Sequence, residues 1–61
     1  MEKGVFYPKD GRKPIEVSSI NDIRNYMGEI MDDFGAIEIY QGMVITYKDG
    51  LPITIGHFSP L

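Results

Sequence analysis

The chain has 61 residues, no Cys and a formal net charge of −3. A single domain of this length, residues 1–61, buries only about 60% of the surface that its unfolded form exposes. No disulfide can add stability, so we expect association with a second copy or with another protein. No apolar run approaches the roughly 20 residues that span a bilayer, and the first residues lack a signal-peptide pattern. The absence of Cys also fits a reducing compartment, so we expect a soluble protein in the bacterial cytoplasm.

The charges are distributed unevenly along the chain. Residues 1–17 hold four basic and three acidic side chains, whereas residues 18–61 hold two basic and six acidic ones. Proteins that bind nucleic acid depend on cationic side chains to neutralise phosphates. General binding of nucleic acid is therefore not expected.

The N-terminal third predicts two short strands. Gly4-Val5-Phe6-Tyr7 is rich in strand-forming residues and stops at Pro8, and Ile15-Glu16-Val17 extends back toward it. The segment between them is bounded by prolines, which predicts a solvated loop.

A single helix is predicted from Ser19 to the stop at Phe34-Gly35. Ser19 is a good N-cap, with Asp22 completing a variant capping box, and Ser18 is the alternative cap. An interior Gly28 costs on the order of 1 kcal/mol relative to Ala, so we expect a neighbouring strand to approach closely there. The apolar stripe of this helix should lie on the sheet, and it consists of Ile20, Ile23, Met27, Ile30, Met31 and Phe34, with Tyr26 at its margin.

Two glycine-containing turns near the C-terminus set the register of a three-stranded meander. Three-residue loops that end at Gly42 and Gly50 pair Ile39 with Met43 and Tyr47 with Leu51. This register places eight apolar residues on one face: Ile37, Ile39, Met43, Ile45, Tyr47, Leu51, Ile53 and Ile55. The opposite face then carries Ala36, Glu38, Val44, Thr46, Pro52, Thr54 and Gly56. Two-residue turns are the competing interpretation, and they would leave Met43, Ile45 and Tyr47 outside.

These elements predict an α+β fold of order β-(β)-α-β-β-β, with one helix packed on one face of a small, mainly antiparallel sheet. If the first strand joined the sheet parallel to the strand after the helix, the crossover would be right-handed.

The pattern of the whole chain resembles that of a group of small mobile-element proteins. The resemblance rests on five segments: the short first strand, the Pro-containing loop, Ile20-Asn21-Asp22-Ile23-Arg24, Gly35-Ala36-Ile37-Glu38-Ile39 and Tyr47-Lys48-Asp49-Gly50-Leu51-Pro52. Together they resemble small uncharacterised domains encoded by bacteriophages and plasmids. Those domains often end in an Asn-containing stretch, whereas this chain ends in His57-Phe58-Ser59-Pro60. The resemblance implies a mobile-element origin, where small acidic proteins often bind and inhibit host proteins.

The polar side of the predicted helix is the leading candidate for a binding site. Its acidic residues are not balanced by bases, and several crowd the end where the macrodipole favours cations. We expect it to dock on a basic surface of a host or defence protein, with Tyr side chains as anchors. A solvated face that aids solubility explains the same residues. The predicted partner-binding residues are Asp22, Tyr26, Glu29, Asp32, Asp33 and Tyr40.

Other functions have weaker signals in the sequence. A regulatory module for nucleic acid would use the basic residues Lys3, Lys9, Arg12 and Lys13. His57 is the single histidine and has no evident catalytic or metal-binding companion. We therefore expect a binding protein with no catalytic residues, metal or cofactor, since an enzyme would need a second chain to complete a pocket. A homodimer is also expected, formed through the polar sheet face or by joining edge strands.

Overall fold

The fold consists of one helix and a five-stranded antiparallel sheet. The computed structural model describes residues 1–61, and the α+β class and the element order predicted from the sequence are confirmed. The elements are β1 (Gly4–Pro8), β2 (Ile15–Val17), α1 (Ile20–Met27), a 3₁₀ helix (Gly28–Met31), β3 (Glu38–Tyr40), β4 (Met43–Lys48) and β5 (Leu51–Pro60). Neither helix has the length and apolar character needed to cross a membrane.

The sheet has the strand order β2-β1-β5-β4-β3, and every neighbouring pair is antiparallel. Pairing of β1 with β5 brings the two ends of the chain together, from Gly4 opposite Pro60 to Pro8 opposite Gly56. Because β1 has no parallel partner, the fold contains no crossover of the kind considered above. The weakly patterned segment Ile15–Val17 does form a strand at the edge of the sheet.

The helix begins as the sequence predicts. Ser19 is the N-cap, and its hydroxyl accepts a hydrogen bond of 3.1 Å from the Asp22 N–H. The Asp22 carboxylate in turn accepts one of 2.9 Å from the Ser18 N–H. Side chains therefore satisfy one backbone donor in the first turn of the helix, the Asp22 N–H, and one donor just before the N-cap, the Ser18 N–H.

The prediction that the helix continues to Phe34 is wrong, because α1 ends at Met27. Gly28 follows with φ +68° and ψ −142°, and its N–H donates to the Arg24 carbonyl. The expected close approach of a strand to Gly28 is also wrong, since a Cβ atom there would meet nothing within 4 Å. Gly28 is needed for its backbone conformation, which residues with a Cβ rarely adopt.

The predicted three-residue loops are wrong, and the two-residue alternative is the observed one. Tyr40 pairs with Met43 and Lys48 pairs with Leu51. Both loop residues have positive φ in each turn: 48° and 82° at Gln41-Gly42, and 52° and 78° at Asp49-Gly50. This is the pattern of type I′ turns, whose twist matches that of the flanking strands.

The change of register exchanges the two faces of β4. Val44 and Thr46 are fully buried, whereas Met43, Ile45 and Tyr47 point away from the helix. Ile37 and Ile39 do face the core, as predicted, but they do so together with Val44. The meander therefore leaves part of its apolar surface on the side without a helix.

A β-bulge in β5 adjusts the side chains of that strand to the core. Val44 lies opposite Gly56 and Ile45 lies opposite Thr54, so Ile55 is an extra residue. The extra residue shifts the alternation of side chains. Ile53 and Ile55 consequently face the helix in the first half of β5, and Phe58 faces it in the second half.

The core lies between α1 and one face of the sheet. Its nine buried apolar residues are Phe6, Val17, Ile23, Met27, Met31, Ile37, Val44, Ile55 and Phe58. Thr46 is the one buried polar side chain, and its hydroxyl lies 3.1 Å from the carbonyl oxygens of both Gly35 and Ala36. This contact holds the segment between the 3₁₀ helix and β3 against the sheet.

We predict that Gly28→Ala lowers the free energy of unfolding by about 1–2 kcal/mol, because alanine is strained at this φ and ψ. Chemical denaturation would measure the change. Gly35→Ala is the matched control, since its Cβ would make ordinary contacts of 3.6 Å or more. If α1 instead continued through residue 28, the same substitution would raise stability by up to about 1 kcal/mol.

Candidate functional site

Three exposed carboxylates lie on the segment that follows α1. Glu29 belongs to the 3₁₀ helix, and Asp32 and Asp33 follow it directly. The two ion pairs of the structure, Lys3 with Glu16 and Arg12 with Asp10, involve none of them. We call Glu29, Asp32 and Asp33 the acidic turn. Their charges are available to a cation on another molecule.

An apolar groove of about 260 Å³ lies next to the acidic turn. Its apolar walls are Met27, Ile30, Phe34 and Ile55, and Lys9, Asp10 and Thr54 also line it. Ile30 stands between the carboxylates in sequence and is 45% exposed. The groove is open because α1 stops at Met27 and the 3₁₀ helix covers the sheet only in part. A partner with an apolar side chain flanked by basic residues would match this arrangement.

Asp22 and Tyr26, two other predicted partner-binding residues, have structural roles. The hydrogen bond from the Ser18 backbone N–H, with others from Ser18 and Ser19, holds the pKa of Asp22 below its ordinary value. Tyr26 packs against the core, and its hydroxyl donates a hydrogen bond of 2.5 Å to the Lys13 carbonyl. Their polar groups are thus occupied within the chain.

Tyr40, the last residue of the predicted set, lies away from the acidic turn. It is 61% exposed and lies on the sheet face opposite the helix, beside Met43. The structure therefore brings together Glu29, Asp32 and Asp33, but it does not bring Tyr40 to them.

The basic loop between β1 and β2 stabilises the end of α1. The Arg12 guanidinium donates hydrogen bonds of 3.1 and 3.2 Å to the carbonyls of Tyr26 and Met27. Asp10 orients it through an ion pair of 2.9 Å. A cation at this position satisfies unpaired carbonyls and opposes the negative end of the helix dipole. Arg12 is thus engaged in the fold rather than presented to a phosphate.

A second exposed surface was missed by the sequence analysis because it depends on the register of the hairpins. The face of the sheet without a helix is here called the open sheet face. Strand pairing places on it Val5, Tyr7, Glu38, Tyr40, Met43, Ile45, Tyr47, Thr54 and His57, and Lys9 joins them at the hollow described below. The Asp49-Gly50 dipeptide was the signal that favoured the correct register, since Asp-Gly is typical of type I′ turns.

Two details define the chemistry of the open sheet face. The Tyr47 hydroxyl donates a hydrogen bond of 2.6 Å to Glu38, and this bond together with the carboxylate charge raises the pKa of Tyr47. A hollow of about 290 Å³ is lined by Tyr7, Lys9, Met43, Thr54, Gly56 and His57. The ring centroids of Tyr7 and His57 lie 6.2 Å apart, and the ring planes are tilted by 42°. His57 therefore has an aromatic neighbour on the open sheet face.

Comparisons with protein-family models, with curated proteins and with solved structures found no match to this chain. The resemblance to bacteriophage and plasmid domains stays a prediction.

We predict that Asp22→Asn reduces the loss of stability in acid. Because the folded pKa lies below the ordinary value of 3.8, ionised Asp22 stabilises the fold above that value. This contribution disappears as pH falls through the folded pKa. Thermal unfolding from about pH 7 to about pH 2 should show a smaller drop in Tm for Asp22→Asn than for the wild type. Asp33→Asn, which lies outside the cap, should lose as much Tm between these pH values as the wild type does. If all three proteins lost the same amount of Tm, the role of this cap would be contradicted.

We also predict that Arg12→Gln lowers the free energy of unfolding by about 1 kcal/mol, because two carbonyls at the end of α1 lose a charged donor. Lys13→Gln removes the same charge from the same loop and should change stability by less than about 0.5 kcal/mol. Urea denaturation at moderate salt measures both. If both substitutions lowered the free energy of unfolding equally, Arg12 would act only through the positive charge that it adds to the loop.

Proposed function

We propose that this chain is a small non-catalytic binding protein of a bacteriophage or another mobile element. In this proposal it inhibits or modulates a host or defence protein by docking the acidic turn on a basic surface. The mobile-element origin rests on the sequence resemblance described above. The binding mode rests on the position of Glu29, Asp32 and Asp33.

The observation that carries the proposal is the combination of unpaired carboxylates with an exposed apolar residue. Glu29, Asp32 and Asp33 form no ion pair in the chain, and Ile30 among them is 45% exposed beside an apolar groove. Protein interfaces commonly combine an apolar centre with a polar rim. Complementary charge accelerates encounter and selects the partner, while the apolar contact supplies affinity.

The proposal differs from the one drawn from the sequence in its contact residues. Asp22 and Tyr26 are assigned to the helix cap and to the contact with Lys13, so they leave the binding set. Ile30 enters it. A solvated turn that serves solubility would have the same charges, and the two explanations differ in whether binding depends on the positions of those charges.

The open shape of the surface depressions also favours binding of a macromolecule. The two depressions measure about 290 and 260 Å³, near the lower limit of sites for small molecules, but both are open to solvent. Sites for small molecules usually enclose most of the ligand. A shallow apolar groove beside charged groups is better suited to a side chain of a protein partner.

We predict that Asp32→Lys/Asp33→Lys abolishes partner capture while the fold is retained. Tagged chain would be incubated with bacterial lysate, and the captured proteins would be quantified by mass spectrometry. Proteins held by the wild type should be lost from the variant and should also be released by added salt, because the exposed contact is screened.

The matched control is Glu2→Lys/Glu16→Lys, which changes the net charge by the same amount elsewhere. Its one lost contact is the exposed Lys3–Glu16 ion pair, which is worth little to stability. The control should keep the captured proteins. If Asp32→Lys/Asp33→Lys also keeps them, with circular dichroism unchanged, the acidic turn is not the binding surface.

A further inference from the structure

The open sheet face presents two rows of side chains that each cross four strands. The first row runs across β1, β5, β4 and β3 as Tyr7, His57, Met43 and Tyr40. The second row runs in the same direction as Lys9, Thr54, Ile45 and Glu38. Lys9 follows the last paired residue of β1, and its side chain belongs to this row because it lines the hollow of the open sheet face together with Thr54.

These rows are complementary to themselves under a twofold rotation. An axis parallel to the strands and midway between β4 and β5 exchanges β1 with β3 and β5 with β4. In the first row, Tyr40 of each copy then lies over Tyr7 of the other, and Met43 lies over His57. An interface between identical subunits requires this property, because residue i must fit residue j in both directions.

The second row supplies charge complementarity under the same rotation. Glu38 of each copy comes to Lys9 of the other, and Ile45 comes to Thr54. Opposite charges thus meet at both ends of the row, while the middle is occupied by uncharged side chains. A rotation about an axis perpendicular to the strands would instead place β3 over β3, with Glu38 near its own copy. Charge therefore selects the first arrangement.

The shape of the open sheet face fits the same arrangement. Tyr40 is 61% exposed, and it lies at the β3 end of its row. The hollow of about 290 Å³ lies toward the other end, with Tyr7 and His57 among its walls. The rotation brings the projecting Tyr40 of one copy over the hollow of the other. Tyr is well suited to this position because it combines a large apolar area with a polar tip.

The area available limits the strength of this dimer. The molecule measures 32 × 22 × 19 Å, so a face that contains its longest dimension covers roughly 600–700 Å² in projection. The rotation superposes four of the five strands and leaves β2 uncovered, so the two copies overlap over roughly 500–550 Å². Standard interfaces bury about 800 Å² per partner. A dimer formed through this face therefore belongs with the small interfaces of weaker complexes, and a dissociation constant in the micromolar range is expected.

We propose that the open sheet face docks the same face of a second copy of this chain, with the twofold axis parallel to the strands and between β4 and β5. The product is a sandwich of two aligned sheets with the helices on the outside. The proposal goes beyond the function given above, since it leaves both acidic turns exposed on the outer sides of the dimer. A dimer of this kind is bivalent toward a repeated or dimeric partner.

A charge-reversal cycle tests the geometry. Sedimentation of the full chain over a range of concentrations gives the dimer dissociation constant. Glu38→Lys and Lys9→Glu should each weaken the dimer by about tenfold, because like charges then meet. The double variant Glu38→Lys/Lys9→Glu should return to within about threefold of the wild type.

Substitution of Tyr40 tests the contact with the hollow. Tyr40→Thr keeps a residue that favours strands and should weaken the dimer by at least about tenfold, as expected for a central aromatic anchor. Asp32→Lys/Asp33→Lys is the control on the opposite side of the molecule and should leave the dissociation constant unchanged. This control also separates the dimer from the proposed function, because loss of partner capture by that variant leaves the dimer intact.

Three results would overturn the proposal. The first is a monomer at protein concentrations of about 1 mM, far above a micromolar dissociation constant. The second is a dimer that is insensitive to Tyr40→Thr, which would assign association to the strand edges. The third is a failure of the double charge reversal to restore the dimer while circular dichroism shows the native fold.

Discussion

The left-handed backbone of the two hairpin turns is the constraint on which the rest of the structure depends. Gln41 and Asp49 are the two residues other than Gly with positive φ, and each precedes a Gly that also has positive φ. Left-handed residues with a Cβ cost roughly 1 kcal/mol or more. The cost is offset because two-residue turns align Val44 and Thr46 with the core and match the twist of the sheet. A loop longer by one residue would turn β4 over and expose both of them.

Local features of the fold could be predicted from the sequence, whereas the choices between registers could not. The order of the elements, the Ser19 cap, for which Ser18 was the alternative, and the weakly patterned strand at Ile15–Val17 each follow from short local segments. The hairpins allowed two registers, and the wrong one was preferred because it buried all eight apolar residues of the meander. That criterion fails here, since a sheet with a helix on one side leaves its other face uncovered. The extra residue Ile55 makes a simple alternation along β5 misleading as well.

The candidate site was predicted only in part, for a related reason. Exposure of Glu29, Asp32 and Asp33 could be anticipated because they are charged residues with few neighbouring bases. The roles of Tyr26 and Arg12 could not, because their partners are distant in sequence: Tyr26 contacts the residue 13 positions before it, and Arg12 contacts a carbonyl 15 positions after it. A helical periodicity contains no information on such contacts. It also cannot distinguish an interior Gly from one that ends the helix, which is the role of Gly28.

The positions of both exposed surfaces follow from a mismatch between the helix and the sheet. An α-helix of eight residues is about 12 Å long, whereas a strand of ten residues is about 33 Å long. Once Gly28 stops the helix, the remaining length of the core must be covered by the 3₁₀ helix and the turn after it. These irregular segments leave the groove beside Ile30, and they carry the three exposed carboxylates of the acidic turn. The open sheet face has no second layer at all, so only another molecule can cover it.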